Sequence, residues 1–538
     1  MAWNTSTCEG SMRAPDAIER SQKKLYLSIK SELALFEKKK RNEILSYERS
    51  FRSSLPRTIR AADKKLLIRE LRRASAVLVG DFHPFRQSQK GFLRLIEECL
   101  PTKKKIVLGL ECLQQAHQSA VNEYLAGFIT AEELRDKIDF EKYWPFSWEN
   151  YREILEFAKK KKYQVLALNI LERKRTLSML RERDRAAAEK TAAEIFSRPD
   201  TTVFVLYGEL HLARRHLPAD LRERLGKKLK VLVVHQNDPD LYWKAPKQKN
   251  GQKPEVLRLA SDEFCIQNSV PWVKLRSYLD WLEGNPNSEE WDNDFDVEGT
   301  VHHYAKLLAE AIGLQARPRE DIEIAGPHSI ERADTLANAL PALEKALLRH
   351  SEQFQRTGFL PSAGRLLLPS ISTNTLSEAA SFLLWHSQRG TSQKNSRSLP
   401  HVCIAHFLVG YLGSKVLNPK RKCNEVADLK GMLLGKSRGE SRPRVAARAL
   451  SLLKPYLRGE NLPGGQAALH GPGEMEACRL AGYILGDRFF QSLLMEPELL
   501  SFVRAWYQCD SAPGMKILLA ETAERIRAIS PASKRDRF

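Results

Sequence analysis

Between residues 76 and 235 the chain alternates short apolar runs with longer segments whose apolar residues recur at helical spacing. The runs cover 76–79, 106–110, 164–168, 202–207 and 230–235, and none shows strict polar alternation, as expected of strands covered on both faces. The intervening segments 86–99, 114–126, 131–138, 148–161 and 176–196 read as helices. Together they predict an α/β domain, a mainly parallel sheet flanked by helices and joined by right-handed crossovers. Residues 256–268 read as a β-rich return, and 270–283 as a helix with Pro271 in its first turn.

The pattern changes on either side. Residues 17–73 are helical and basic, with Leu25, Leu27, Ile29, Leu33, Leu35 and Phe36 as an apolar stripe, which predicts an appended arm. Residues 284–296 are acidic and rich in turn formers and mark a boundary. Strand signals are lacking from 301 onward, so the remainder reads as a mostly α-helical, indeed all-helical, C-terminal module. Its candidate helices are 302–312, 329–350, 375–387, 402–417, 443–457 and 474–494, interrupted by a basic, serine-rich loop at 388–398. The expected organisation is a basic arm over 1–73, an α/β domain over 74–290 and a helical module over 300–538. Two pieces of the module, starting at Gly410-Tyr411 and Gly482-Tyr483, form a weak repeat whose glycines suit close helix approach better than phosphate binding.

A length of 538 residues agrees with more than one core. With 42% hydrophobic residues and a mean hydropathy of -0.42, the composition is that of a soluble globular protein, and no run is long enough for a transmembrane segment. The first residues show neither a secretion signal nor a lipid-attachment cysteine behind an apolar stretch, which predicts a cytoplasmic protein. The eight cysteines include no C-x-x-C pair, which argues against a zinc ribbon, a redox dithiol or a disulfide framework. A net charge of +20 admits nucleic acid, an anionic membrane or an acidic small ligand as partner. The basic runs at 38–41, 69–73 and 159–162 lack interleaved aromatics, so they read as solvated helix faces before a nucleic-acid surface. Self-association is compatible with the sequence and not specified by it.

Three of the expected strands end in polar residues out of keeping with what precedes them: Gly80-Asp81-Phe82-His83, Glu111, and Gly208-Glu209-Leu210-His211. In a parallel sheet all carboxyl ends meet at one edge, where ligands bind. Gly80 and Gly208 permit the sharp turn and close approach there, and His83, Glu111 and His211 converge. Two imidazoles and a carboxylate can hold iron or another divalent metal ion, ligate haem iron, or act as base and orienter in a hydrolase. Asp81 and Glu209, each two residues before a histidine, can join the ligands or fix the ring tautomers. His117, His216 and His235 read first as structural.

In combination these residues resemble the ChaN family of haem-binding proteins. The order GDFH, the glutamate after VLGL, WENYREILEFAKKKKYQVLALN, RERDRAAAE and VFVLYGELHL carries the resemblance over about 200 residues. That family belongs to a superfamily with the Tiki metallopeptidases, the TraB proteins and the erythromycin esterases. The resemblance implies that His83, Glu111 and His211 line a common pocket with Gly80 and Gly208 at its floor. It further implies that Asn169, Arg183 and Asp184 occupy supporting positions. This chain departs from the pattern in having Asp81 where a glutamate is frequent, and in lacking the export signal typical of ChaN proteins. The arm and the helical module lie outside the resemblance.

The first expectation is therefore haem or iron binding. Tyr207, Tyr143 and Tyr151 are candidate phenolate ligands, and Phe82, Phe85, Trp144, Phe146 and Trp148 are candidates to sandwich a porphyrin or simply to pack. The alternative implied by the other branches is a metal-dependent hydrolase, a peptidase or esterase, using His83, Glu111 and His211 as its catalytic groups. A third is an inert scaffold whose helical module binds a partner or nucleic acid.

Overall fold

In a computed structural model, residues 14–37, 42–56, 58–100, 104–170, 176–248, 251–283, 296–317, 321–326, 339–389, 399–434, 442–460 and 471–528 are described. Cys8, the basic run at 38–41, most of the boundary segment at 284–296, the first part of the helix expected at 329–350 and most of the 388–398 loop lie outside these residues. The chain forms two compact units. One spans residues 30–248 and 252–290 and holds the large sheet; the other comprises residues 1–29 and 291–534 with the short piece 249–251. The arm expected over 1–73 is thus divided between Ile29 and Lys30.

The first unit contains strands β1 (Arg60–Ala61), β2 (Ala76–Asp81), β3 (Lys105–Gln114), β4 (Gln164–Asn169), β5 (Thr201–Gly208), β6 (Val231–Gln236), β7 (Val256–Ala260) and β8 (Glu263–Ile266). They form one sheet in the order β1-β7-β8-β6-β2-β5-β3-β4. Every pairing from β8 to β4 is parallel, while β7 runs antiparallel to β8 and β1 antiparallel to β7. The five runs read from the sequence are the five adjacent strands β6, β2, β5, β3 and β4, and the β-rich return is the hairpin β7–β8.

The absence of polar alternation has its physical cause in two cores. Val77, Val79, Leu108, Leu110, Phe204 and Leu206 enter one, against the helices Arg86–Cys99 and Trp148–Lys161. The alternate residues Ala76, Leu78, Val107, Val203, Val205 and Tyr207 enter the other, against Leu177–Ser197 and Leu217–Leu225. Successive side chains of a strand point to opposite faces, so a strand buried on both must be apolar throughout. Truncating a central one of these, such as Phe204→Ala, removes about 3–5 kcal/mol of stability.

In the arm, helix Ala14–Glu37 buries Leu25, Ile29 and Leu33 but leaves Leu27 and Leu35 exposed. The expected stripe was too wide, because a step of two residues turns about 200° around a helix and leaves the buried face. Helix Asn42–Ser54 follows and buries Tyr47 and Phe51 in the α/β unit.

The second unit is mostly helical, built around Pro400–Leu417 and Pro472–Met495, with Val297–Ile312, Ala342–Phe354, Thr373–Ser387, Arg442–Arg458 and Ala512–Ala528 among the helices about them. The all-helical expectation is corrected by a small sheet, β10-β11-β9, made of β9 (Glu323–Ala325), β10 (Gly358–Leu360) and β11 (Arg365–Leu367). Each strand has only three residues, too short for period-two patterning to register. The weak repeat is a packing device. A Cβ on Gly482 would stand 2.6 Å from the carbonyl oxygen of Ile404, and the rings of Tyr411 and Tyr483 lie 4.6 Å apart.

Candidate functional site

Strands β2, β5 and β3 lie side by side, with Gly80 opposite Tyr207, Asp81 opposite Gly208, and Leu110 opposite Leu206. The carboxyl ends of β2 and β5 deliver His83 and Gly208 to one edge, the short helical turn Glu209–Leu212 after β5 adds His211, and Glu111, expected to close its strand, lies instead within β3, which continues past a register shift to Gln114. Gly208 sits among the other three. A Cβ there would lie 3.1 Å from Glu111 Oε2, 3.2 Å from His83 Nε2 and 3.3 Å from His211 Cδ2.

Each imidazole is held from behind by an aspartate. His83 Nδ1 lies 2.9 Å from Asp81 Oδ2, and Asp81 also accepts hydrogen bonds from Gln89 (2.6 Å) and the Tyr151 hydroxyl (2.8 Å). His211 Nδ1 lies 2.6 Å from Asp184 Oδ1, and Tyr47 donates its hydroxyl to the same carboxylate. Both Nε2 atoms lie near Glu111, that of His83 at 4.0 Å from Oε2 and that of His211 at 3.9 Å from Oε1. A carboxylate that accepts a hydrogen bond from Nδ1–H fixes the tautomer that leaves Nε2 its lone pair, the arrangement found behind metal-bound histidines.

The Glu111 carboxylate is itself occupied. Arg183 donates to Oε1 at 2.6 Å and the Gly208 backbone N–H to Oε2 at 2.5 Å. Burial works to raise the Glu111 carboxyl, but Arg183, both histidines and the Gly208 N–H outweigh it and hold the group below the usual carboxylate range. Burial likewise opposes protonation of His83, yet the hydrogen bond and charge of Asp81, with Glu111, hold that ring above its ordinary value. His83, Glu111 and His211 stand together at this edge, with one donor on each Glu111 oxygen, and among the described residues no group of three or more His, Cys, Asp or Glu is spaced as a metal site.

Of the two acidic residues that precede the histidines, only Asp81 supports its neighbour. Glu209 pairs instead with the buried Lys274 at 2.5 Å, and the supporting role at His211 falls to Asp184, which the sequence marks only through the family resemblance. Gly80 lies against Leu212 and Glu209. Asn169 caps its own strand end by accepting from the Ile170 N–H at 3.0 Å.

Tyr207 and Tyr151 are fully buried, and burial first, then the nearby acidic groups, pushes both phenols well above their ordinary value. The hydroxyls donate to the Arg183 carbonyl and to Asp81. Tyr143 is half-buried beside His117, ring to ring at 5.6 Å.

The aromatic residues divide. Phe85, Trp144 and Trp148 are buried, with Trp144 edge-on to His83 at 4.6 Å. Phe82, His83, Phe146, Tyr278 and Trp281 are half-buried and form a continuous aromatic surface: His83 meets Phe146 at 4.8 Å, Phe146 meets Trp281 at 4.8 Å, Trp281 stacks on Tyr278 at 5.7 Å, and Tyr278 meets Phe82 at 5.8 Å.

Sequence reasoning missed Tyr47 because the arm reads as an appendage. Its helix supplies Tyr47 to Asp184 and His211, Ser50 to His216 Nε2 at 3.0 Å, and Phe51 to the His235 ring. The usable signal was the spacing of Tyr47 and Phe51, one turn apart on a charged helix. His235 pairs with Glu263 at 3.0 Å, and His216 Nδ1 lies 3.0 Å from the Leu210 carbonyl oxygen.

The fold and this edge define an α/β domain with a mainly parallel sheet and two carboxylate-held imidazoles at its carboxyl edge. Residues 67–182 match the family described as "Haem-binding uptake, Tiki superfamily, ChaN", which bears out the resemblance over that stretch and takes in His83 and Glu111. A solved structure titled "Cofacial heme binding to ChaN of Campylobacter jejuni" is similar at 16% identity and a TM-score of 0.28, covering 33% of this chain and 87% of that one. No curated protein matches. Among the described residues no helix is long and apolar enough to cross a membrane.

Proposed function

We propose that the α/β unit binds haem, with His83 Nε2 as the ligand to iron and His211 and Glu111 completing the polar side of the site. The observation that carries this reading is the setting of His83. Asp81 takes its Nδ1 side, which frees Nε2 for iron, and the ring stands at the head of the half-buried aromatic surface of Phe82, Phe146, Tyr278 and Trp281. A flat macrocycle gains most from such a surface, and an imidazole nitrogen suits its iron. The family match over 67–182 points the same way. Haem would supply the iron and its redox chemistry; the residues here would hold the imidazole tautomer and exclude water. The test is titration of the full chain with haemin. A Soret band with the signature of an axial imidazole, lost in His83→Ala, supports the reading, and an unchanged spectrum in that variant overturns it.

A second reading, hydrolysis, is favoured by the placing of Glu111. Its carboxylate lies about 4 Å from two imidazole Nε2 atoms, at 4.0 Å from that of His83 and 3.9 Å from that of His211, so that a ring could serve as the acid–base group with Glu111 offsetting its charge. Esterase or peptidase turnover lost in Glu111→Gln, in protein that binds no haemin, would select it.

A further inference from the structure

The helical unit contains a cavity of about 240 Å³, built wholly from its own elements. Leu347 of helix Ala342–Phe354, Phe359 of β10, Trp385 of helix Thr373–Ser387, Val402 of helix Pro400–Leu417 and Met515 of helix Ala512–Ala528 give it an apolar wall. His406, also on Pro400–Leu417, lines the same space. That ring is more than nine-tenths buried and stacks on Phe382 at 4.3 Å, yet its Nε2 has no hydrogen-bond partner. A buried polar atom left without a partner costs stability, and such an atom on the wall of a cavity marks the place where a bound molecule or water meets the protein.

The remaining lining groups set the character of the occupant. Glu344 accepts three hydrogen bonds from Ser362, two from its N–H and one from its hydroxyl, and burial outweighs them and raises its carboxyl, favouring the uncharged form. Arg389 lies over the Trp385 ring at 4.3 Å, and Asp510 shares the lining with it, so positive and negative charge already offset one another. Burial, with the charges of Arg389 and His350, holds His406 down at about 3, and the ring is neutral throughout the physiological range. A charged ligand would find no uncompensated counter-charge there. The volume lies below the roughly 300 Å³ at which pockets for drug-sized ligands begin.

We propose that this cavity is a binding site for a small uncharged molecule with an apolar body and a single hydroxyl, of the size of a phenol, the hydroxyl bonding His406 Nε2 and the body lying against Phe359, Trp385 and Val402. The site is independent of the haem reading, since all its residues belong to the helical unit.

Phenol and toluene, which differ by a hydroxyl in place of a methyl, provide the test on the full-length chain, with binding followed by calorimetry and by the tryptophan fluorescence. The expected result is phenol binding about fivefold tighter than toluene, the worth of one hydrogen bond. His406→Leu should remove that preference while toluene still binds, and Val402→Trp, which fills the space, should remove both ligands. Toluene binding as well as phenol or better, retention of the preference in His406→Leu, or no binding of either ligand at millimolar concentration would overturn the proposal. The last outcome would mean that water alone meets His406. Should either variant fail to fold, the comparison of the two ligands on the unaltered protein decides by itself.

Discussion

Asp184 lies 2.6 Å from His211 Nδ1 through its Oδ1 and receives the Tyr47 hydroxyl at Oδ2, so one fully buried carboxylate joins the arm helix to the carboxyl edge of the sheet. Arg181, at 3.1 Å, supplies its counter-charge and bridges on to Asp220. The arm is thereby part of the site.

Tyr47→Phe keeps the ring stacked on His216 at 3.9 Å but deletes the hydroxyl. A bond to a charged acceptor is worth about 1.5–3 kcal/mol, and the variant should lose that much in urea denaturation. A change below about 0.5 kcal/mol would mean that the arm helix does not anchor there.

The two aspartates should differ in their effect on haemin. Asp81→Asn removes the group behind the proposed iron ligand and should weaken haemin about 10–100-fold in a Soret titration. Asp184→Asn should change affinity severalfold less, because it acts on His211. Equal losses in the two variants would assign both rings the same role.

Gly208→Ala should leave the far-ultraviolet circular dichroism unchanged while abolishing haemin binding. The added methyl meets Glu111, His83 and His211 at 3.1–3.3 Å, tighter than most real contacts, and those groups must give way. Crowding of this kind costs about 1–3 kcal/mol. Retained binding would show that the three groups need not stay close.

The half-buried Arg183 pairs with the buried Glu111 at 2.6 Å. Arg183→Met leaves the carboxylate without its counter-ion and should cost about 3–5 kcal/mol, whereas Arg183→Met with Glu111→Gln should recover much of the loss. Chemical denaturation of the two singles and the double gives the coupling directly, and strict additivity would contradict it.

In the helical unit, burial alone would raise the Glu476 carboxyl, but Arg479 and His350 bind it and hold it down at about 2 against an ordinary 4.5. A carboxyl depressed in the folded state contributes stability that is complete above its unfolded value and disappears as the pH falls through the folded one. The unit should therefore lose a few kcal/mol between about pH 4.5 and pH 2. Glu476→Gln should flatten that part of the profile, as measured by denaturant midpoints at each pH.

Much of this molecule is written in local pattern. The five parallel strands, the helices Arg86–Cys99 and Trp148–Lys161, and the convergence of His83, Glu111 and His211 follow from apolar runs ending in polar residues, since every parallel strand must finish on the same edge. What local pattern did not determine is who pairs with whom. Glu209 and Asp184 are both acidic, yet the backbone turn after Gly208 sends one to Lys274 and leaves the other behind His211. Tyr47, 164 residues from His211 in the chain, gives no local sign of its destination. The three-residue strands of the helical unit and the cavity beside His406 likewise exist only because distant helices and loops pack together. Period and charge act over a few residues of sequence and are legible there; hydrogen-bond partners and cavities depend on distances through space, which only the folded chain sets.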